Sequence, residues 1–419
     1  MTSFSENVPQ GALAGTYDPR FESVAVAFVE NFKSRNELGA SVAVTVEGET
    51  VVNLWGGTAR EESGKAWEED TMSIVWSSTK GAAAFCMHVL ASRGEINLNA
   101  RVTDYWPEYG ASGKENTTLA MLLNHQSGSC AVRDTLPEGA YANPKEWTTR
   151  LAAQQAYFEP GAHHGYEALT FGFLLGEVIE RVTGKTLGAF FREEIAEPLG
   201  IPFWIGLPEE LEDKTARMIM YIPGPDEKLS PMLERVADKS SLQYSVMGNA
   251  GGYMVAGVDG IPGYDTRAAH GAEIGAAGGI TNGRGLAGMY APLAMGGSLN
   301  GREYVSADQL LKMSMVSSAG LDFTLLLPTR FSLGYFKAMD NRAAVSGVTD
   351  SMLISEAAFG HPGFGGSIGF ADPECRMSFG YTMNRMGAGM LVNTRGQSMI
   401  DALYQTLGYT SNASGAWQR

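Results

Sequence analysis

Cysteine is scarce in this chain: three in 419 residues, Cys86, Cys130 and Cys375. Three thiols cannot build a disulfide framework. None belongs to a CxxC or Cys/His spacing, and zinc needs three or four converging ligands, so no metal site is expected. Cys86 lies in an apolar stretch, where a buried thiol is the default. Charge is also sparse, 18% of residues, and one-sided: 46 acidic against 31 basic, a net −15. No long basic run interrupts this balance, so nucleic acid and anionic membrane surfaces are disfavoured as partners. No run of ~18 uninterrupted apolar residues exists, so no membrane span is expected. The opening stretch, MTSFSENVPQG, has neither the positive start nor the apolar centre of a secretory signal. A cytoplasmic protein is the expectation. Internal repeats and low-complexity tracts are absent too.

What is present suits a folded body. Hydrophobic residues make up 44% of the chain, which rules out wholesale disorder. The length fits two or three units, or one large α/β body with an insertion. Residues 1–19 read as a loose polar arm. Residues 22–35 read as an amphipathic helix with Val24, Phe28, Val29 and Phe32 on one face. Two β-branched runs, Ser41–Val46 and Thr50–Trp55, flank a short Glu-Gly-Glu turn and predict a hairpin. Helices are expected at 78–93, 168–182 (stopped by Thr183-Gly184), 187–196, from 283 onward and at 397–407. The stretch 221–272 reads as long loops with short helices. Strands are expected at 331–336, 366–370 and 377–383. Strands at both ends with helices between them make an α+β pattern, a sheet built from both termini with a helical insertion.

Two serines carry motifs. Ser77-Ser-Thr-Lys80 is an SxxK: positions i and i+3 share a helix face, so an amine can reach a hydroxyl. A desolvated lysine can take the proton of a serine nucleophile. A serine at a helix start also points backbone N–H groups toward a developing oxyanion. About one SxxK arises by chance in such a chain, so the motif alone carries no weight against a helix cap and an exposed lysine. Gly365-Gly-Ser367-Ile-Gly369 matches GxSxG, but that fold needs a histidine after its serine. All six histidines precede Ser367, so 365–369 reads as a glycine-rich strand in close backbone approach. His125 reads as a hydrogen-bonded loop residue. His163 and His164 fit a polar turn or a pocket lining equally. Met218, Met220, Met232, Met247 and Met254 are either core filler or an adaptable apolar surface.

The order of segments adds more. Trp76-Ser77-Ser78-Thr79-Lys80-Gly81 follows the hairpin and opens an apolar helix. Then come Asp104-Tyr-Trp-Pro-Glu108, Leu122-Leu-Asn-His-Gln-Ser-Gly128, Tyr166-Glu-Ala-Leu-Thr-Phe-Gly172, Ala276-Ala-Gly-Gly-Ile-Thr-Asn282 and Gly360-His-Pro-Gly-Phe-Gly-Gly-Ser367. Together they resemble the serine β-lactamase and penicillin-binding-protein superfamily, and most closely family VIII carboxylesterases with a class C β-lactamase-like fold. The resemblance covers about residues 20 to 407. It implies a β-lactamase/transpeptidase-like fold, an antiparallel sheet flanked by helices plus a helical domain. It divides the chain into a discontinuous α/β domain, 1–75 and 275–419, and a mainly helical domain, 76–274.

The resemblance also implies roles. Ser77 matches the acylated serine, Lys80 its lysine partner and Tyr166 the tyrosine facing both. Beside a lysine ammonium the Tyr166 phenolate would be favoured, making it a proton acceptor. The N–H groups of Ser77 and Phe364 would form the oxyanion hole. Trp76, His361 and Gly363 would bind substrate. His361 stands where relatives carry the lysine of Lys-Thr-Gly, and Glu167-Ala168 replaces the rest of Tyr-x-Asn. Both departures remove polar groups that β-lactams use. The expected reaction is hydrolysis of a small carboxylic ester of short acyl chain through an acyl-serine, with no cofactor. An acyltransferase or a weak β-lactamase or amidase on the same scaffold stays open, as does the oligomeric state.

Overall fold

In the computed structural model the described residues are 1–224, 226–227, 229–257, 260–343 and 350–419. The main sheet is built from β1 (Thr2–Val8), β2 (Gly11–Tyr17), β3 (Gly39–Val46), β4 (Glu49–Arg60), β5 (Phe359–Pro362), β6 (Ile368–Asp372) and β7 (Met377–Met383). Their order across the sheet is β1-β2-β4-β3-β7-β6-β5, with a two-residue strand, Lys65–Ala66, paired to β4. Every pairing is antiparallel. The principal helices are α1 (Glu22–Ser34), α2 (Thr79–Ser92), α3 (Thr170–Thr183), α4 (Gly283–Ala294) and α5 (Thr394–Thr406).

Alternation along β3 and β7 decides what each face of the sheet can hold. Ser41 pairs with Thr382, Ala43 with Gly380 and Thr45 with Ser378. This short-side-chain face receives α4. Ser41 Oγ accepts the Gly283 N–H at 2.9 Å, and Ser378 Oγ donates to the Ala287 carbonyl at 2.8 Å. A Cβ on Gly380 would come within 2.4 Å of the α4 backbone, so glycine lets the helix lie directly on the sheet. The alternate set, Val42, Val44, Phe379 and Tyr381, is fully buried on the other face. There α1 and α5 pack on each other. Tyr381 donates to Glu37, whose other oxygen takes Arg395 of α5 at 2.7 Å.

The C-terminal segment packs back on Tyr404 of α5 through Tyr409 and Trp417. α2 packs against α3, and α3 stops where Gly184 enters the left-handed region at φ 71°. A second sheet joins Ser73–Ile74, Gly279–Thr281 and Trp204–Ile205. Residues 187–196 begin as a helix, Leu187–Phe191, and widen into a π turn at Arg192–Ala196. Within 221–272 the helices are short, Pro231–Arg235, Leu242–Met247 and Arg267–Gly271. Positions 225, 228, 258 and 259 of that stretch lie outside the described residues. No helix among the described residues is long and apolar enough to cross a membrane.

Three sequence expectations need correction. Residues 1–19 are not a loose arm: β1 and β2 form a hairpin that extends the sheet beside β4. The strand expected at 331–336 is Pro328–Phe331, paired with Ser318–Leu321, and the chain then turns so that Phe336 bridges Gly360 on β5. The strand expected at 366–370 begins only at Ile368, because Gly365 and Gly366 turn at φ 83° and 123°.

Candidate active site

The chain reaches Ser77 through a bent residue. Trp76 sits at φ 48°, a costly conformation for a bulky side chain that persists only where its surroundings impose it. Ser77 follows in the 3-10 turn Trp76–Ser78, which runs straight into α2. N–H groups in a first helical turn have no carbonyl behind them to bond. The start of α2 is clamped to β5 and to the segment after it. Ser78 Oγ donates to the His361 carbonyl at 3.0 Å, and Ser367 Oγ donates to the Val75 carbonyl at 2.8 Å. A Cβ on Gly363 would fall 2.2 Å from both Ser367 Oγ and the Val75 oxygen. Ser367 is thus fully buried and bonded, and the close approaches at 365–369 are to Met386, Asn393 and Tyr290, which a Cβ on Gly365, Gly366 and Gly369 would meet at 2.6, 2.2 and 2.7 Å.

Lys80, the second residue of α2, is fully buried. Its Nζ donates to the carbonyls of Ala168 at 2.7 Å and Ala276 at 2.9 Å, and lies 3.1 Å from Ser77 Oγ. Burial holds its pKa well below the ordinary lysine range, partly opposed by Glu167. A neutral amine has two N–H bonds and one lone pair. The two carbonyls take the first two, and the lone pair is left facing the Ser77 hydroxyl.

Tyr166 is buried beside the amine, with Lys80 Nζ 4.7 Å from its ring centroid. Its phenol is within hydrogen-bonding reach of Ser77, yet burial raises its pKa far above the ordinary tyrosine value. Burial therefore works against the phenolate that the sequence led us to expect. Asp322 fixes the tyrosine's backbone. Its Oδ1 accepts the N–H groups of Tyr166 at 3.1 Å and of Thr324 and Leu325 at 2.8 Å. Burial pushes the Asp322 carboxyl up to about 6 against those bonds.

A narrow cavity opens over Ser77, its walls including Trp76, Tyr166, Leu169, Tyr253, Met390 and Phe364. Its free volume of about 30 Å³ has room for about two waters. Apart from the Ser77 hydroxyl and the Tyr166 and Tyr253 phenols, its lining side chains are apolar or aromatic, and none is charged. Met247 and Met254 line it too, whereas Met232 is buried core and Met220 borders a second cleft. That cleft, 820 Å³, lies on the far side of Phe364 between Tyr221, Leu233 and Val392. The Phe364 ring stands edge-on to Trp76 at 5.9 Å.

Two expected substrate contacts stand behind this wall. Pro362 and Phe364 face the cavity, and His361 and Gly363 do not. The His361 ring packs on Tyr166 and Phe336, its Nδ1–H donates to the Pro362 carbonyl at 2.7 Å, and burial holds its pKa well below the usual range. His125 is also buried, with its ring against Tyr166, Phe171 and Phe331. His164 bonds Thr329 at 2.9 Å, and His163 stacks on Phe323. Sequence reading missed Glu167, Ser127 and Asp322 as parts of the site. Glu167 gave a signal as an acid directly after the tyrosine, Ser127 lay in the Leu122–Gly128 segment, and Asp322 gave none.

A serine at a strained helix start, a buried lysine three residues on and a buried tyrosine from the segment before α3 converge beside one cavity. The chain matches the Beta-lactamase family over residues 24–404 and belongs to that family. Among its relatives, Esterase/beta-lactamase LipL of Mycobacterium tuberculosis is 34% identical over 382 residues, 89% of this chain and 83% of LipL. A crystal structure of a family VIII carboxylesterase is 37% identical with a TM-score of 0.80, covering 94% of this chain and 99% of that one. EstA from Arthrobacter nitroguajacolicus is 27% identical with a TM-score of 0.79, covering 97% and 99%.

Proposed function

We propose that this protein is a serine carboxylesterase that cleaves small neutral esters of short acyl chain. The observation that carries the reading is the placement of Lys80 Nζ, held by two carbonyls with its third direction on Ser77 Oγ. Lys80 takes the Ser77 proton as Oγ bonds the ester carbonyl carbon. The oxyanion then lies between the N–H groups of Ser77 and Phe364, each worth about 3 kcal/mol in the transition state. The proton on Lys80 passes through the Tyr166 hydroxyl to the departing alkoxy oxygen, the C–O bond breaks and the alcohol leaves. Water enters, gives its proton back along the same path and frees the acid and Ser77. The uncharged cavity wall favours neutral substrates, since a carboxylate placed there would be desolvated without a partner. The small free volume favours short acyl groups. In this reading the discontinuous α/β part, 1–75 with 275–419, and the helical part, 76–274, meet at the site.

The test is a serine-directed phosphonate followed by mapping of the adduct, with a panel of short to long acyl esters alongside. Labelling of Ser77 and turnover of short esters are expected. Labelling of Ser367 instead, or of no serine, would overturn the reading. Ser77→Ala should abolish turnover while Ser367→Ala keeps a part of it.

A further inference from the structure

Glu167 has no task in the ester mechanism, although it follows Tyr166 directly and is fully buried. Its Oε1 accepts the Ser127 hydroxyl, and that oxygen in turn accepts the Ser129 N–H at 3.0 Å. Its Oε2 makes no hydrogen bond among the described residues and stands 3.6 Å from His125 Nδ1. That nitrogen accepts the Glu167 N–H at 3.3 Å, so it carries no proton. An ionised carboxylate would aim a lone pair of Oε2 at the lone pair of Nδ1, away from solvent. A proton on Oε2 removes that conflict.

We propose that Glu167 is held as a neutral carboxylic acid, with its proton on Oε2, and acts as a positioning residue that leaves Lys80 a free amine. The proposal rests on the reading of Lys80 as the base. The surroundings agree with it. The titratable groups facing the carboxyl are Lys80 from α2, His125 and Cys130 from the 124–132 loop, Tyr109, and Asp322, whose own charge opposes a second anion. Burial pushes the Glu167 carboxyl up to about 8.

The benefit lies in timing. An ionised Glu167 would attract a Lys80 ammonium through space before substrate arrives, stabilising the wrong protonation state of the base. With Glu167 neutral, the ammonium finds its counter-charge only when the oxyanion forms. Attraction present in the transition state and absent before it lowers the barrier.

The test compares the acid limb of the kcat/KM profile for wild type, Glu167→Gln and Ser127→Ala, with isotope-edited infrared spectra of 13C-glutamate protein near neutral pH. Gln copies the neutral acid, so its acid limb should coincide with that of wild type. A limb displaced by about one pH unit or more to lower pH, a tenfold loss of Lys80 proton affinity, would overturn the proposal by showing a lost carboxylate. Ser127→Ala covers the case where the Gln variant does not fold. A neutral acid keeps its proton there and the limb stays, whereas a carboxylate deprived of its donor would protonate and lower the limb. The wild-type spectrum should carry a protonated-carboxyl band that is lost in Glu167→Gln; a carboxylate band in its place would also overturn the proposal. Failure of the esterase reading itself appears separately, as ester turnover that survives Ser77→Ala, while the infrared band still decides the protonation of Glu167.

Discussion

Lys80 Nζ stands over the face of the Tyr166 ring, 4.7 Å from its centroid. A ring face attracts a cation and is indifferent to a neutral amine, and the attraction reaches about 2 kcal/mol away from water. In the proposed mechanism the ring therefore favours the ammonium that proton transfer would create, and the hydroxyl on the same side chain would pass the proton on. These two tasks separate by mutation. Tyr166→Phe should lower kcat by about 10²–10⁴-fold and leave the acid limb of kcat/KM where it is. Tyr166→Leu should lower kcat as much and move that limb to lower pH, because the ammonium has lost its ring. Coincident limbs for Phe and Leu would remove the ring from the account.

The stability of the protein should record the charge on Lys80. Burial depresses its folded-state pKa below the 10.5 of an exposed lysine. Between the depressed value and 10.5 the unfolded chain binds the extra proton, so stability rises with pH across that window. Lys80→Met removes this contribution. Wild-type minus variant unfolding free energy should climb by up to about 1.4 kcal/mol per pH unit and level off above the exposed-lysine value. Denaturant melts over a pH series measure it, and a flat difference would mean that the folded protein keeps Lys80 charged.

The clamp on α2 leaves no room for a methyl group at Gly363, where a Cβ would lie 2.2 Å from Ser367 Oγ and the Val75 oxygen. Gly363→Ala should cost about 1–3 kcal/mol of stability. It should also lower kcat/KM by about 10²-fold, since displacement of a nucleophile by 1 Å is enough for that. Urea melts and ester kinetics on the same preparation check both. A stable, fully active variant would show that the clamp does not aim Ser77.

Phe364 is the partition between the narrow cavity and the 820 Å³ cleft beyond it. Phe364→Ala keeps the backbone N–H and removes the wall. The kcat/KM ratio of hexanoyl to acetyl esters should rise by about tenfold or more, the worth of one or two methylenes in an apolar pocket. An unchanged ratio would place the cleft off the acyl path.

Much of the site was legible because local signals coincided: a hairpin, then Ser and Lys at i, i+3, then an apolar helix. What escaped depends on burial and on distant partners. The β1–β2 hairpin has few β-branched residues and Gly11 and Gly15 at positive φ; it becomes a strand pair only because β4 offers an edge. A phenolate on Tyr166 looked reasonable beside an ammonium. Enclosing both groups in one apolar site disfavours charge on either, and enclosure cannot be read from spacing. His361 was placed against substrate by position in a motif, but the pleat of β5 turns it toward Tyr166 and Phe336. Asp322 gave no signal, since it reaches Tyr166 across 156 positions of chain.

The bonds that clamp the start of α2 and close the sheet span most of the chain. Ser367 reaches Val75 across 292 positions, and β3 finds β7 through Ser41 and Thr382 across 341. Closing such long loops is slow, and topology of this kind delays folding. During synthesis Ser77 and Lys80 leave the ribosome while Gly363, Phe364 and Ser367 are still to be made. A nascent chain therefore carries Ser77 and Lys80 without the strand that clamps them, and on the proposed mechanism hydrolytic competence arrives only as the sheet is completed.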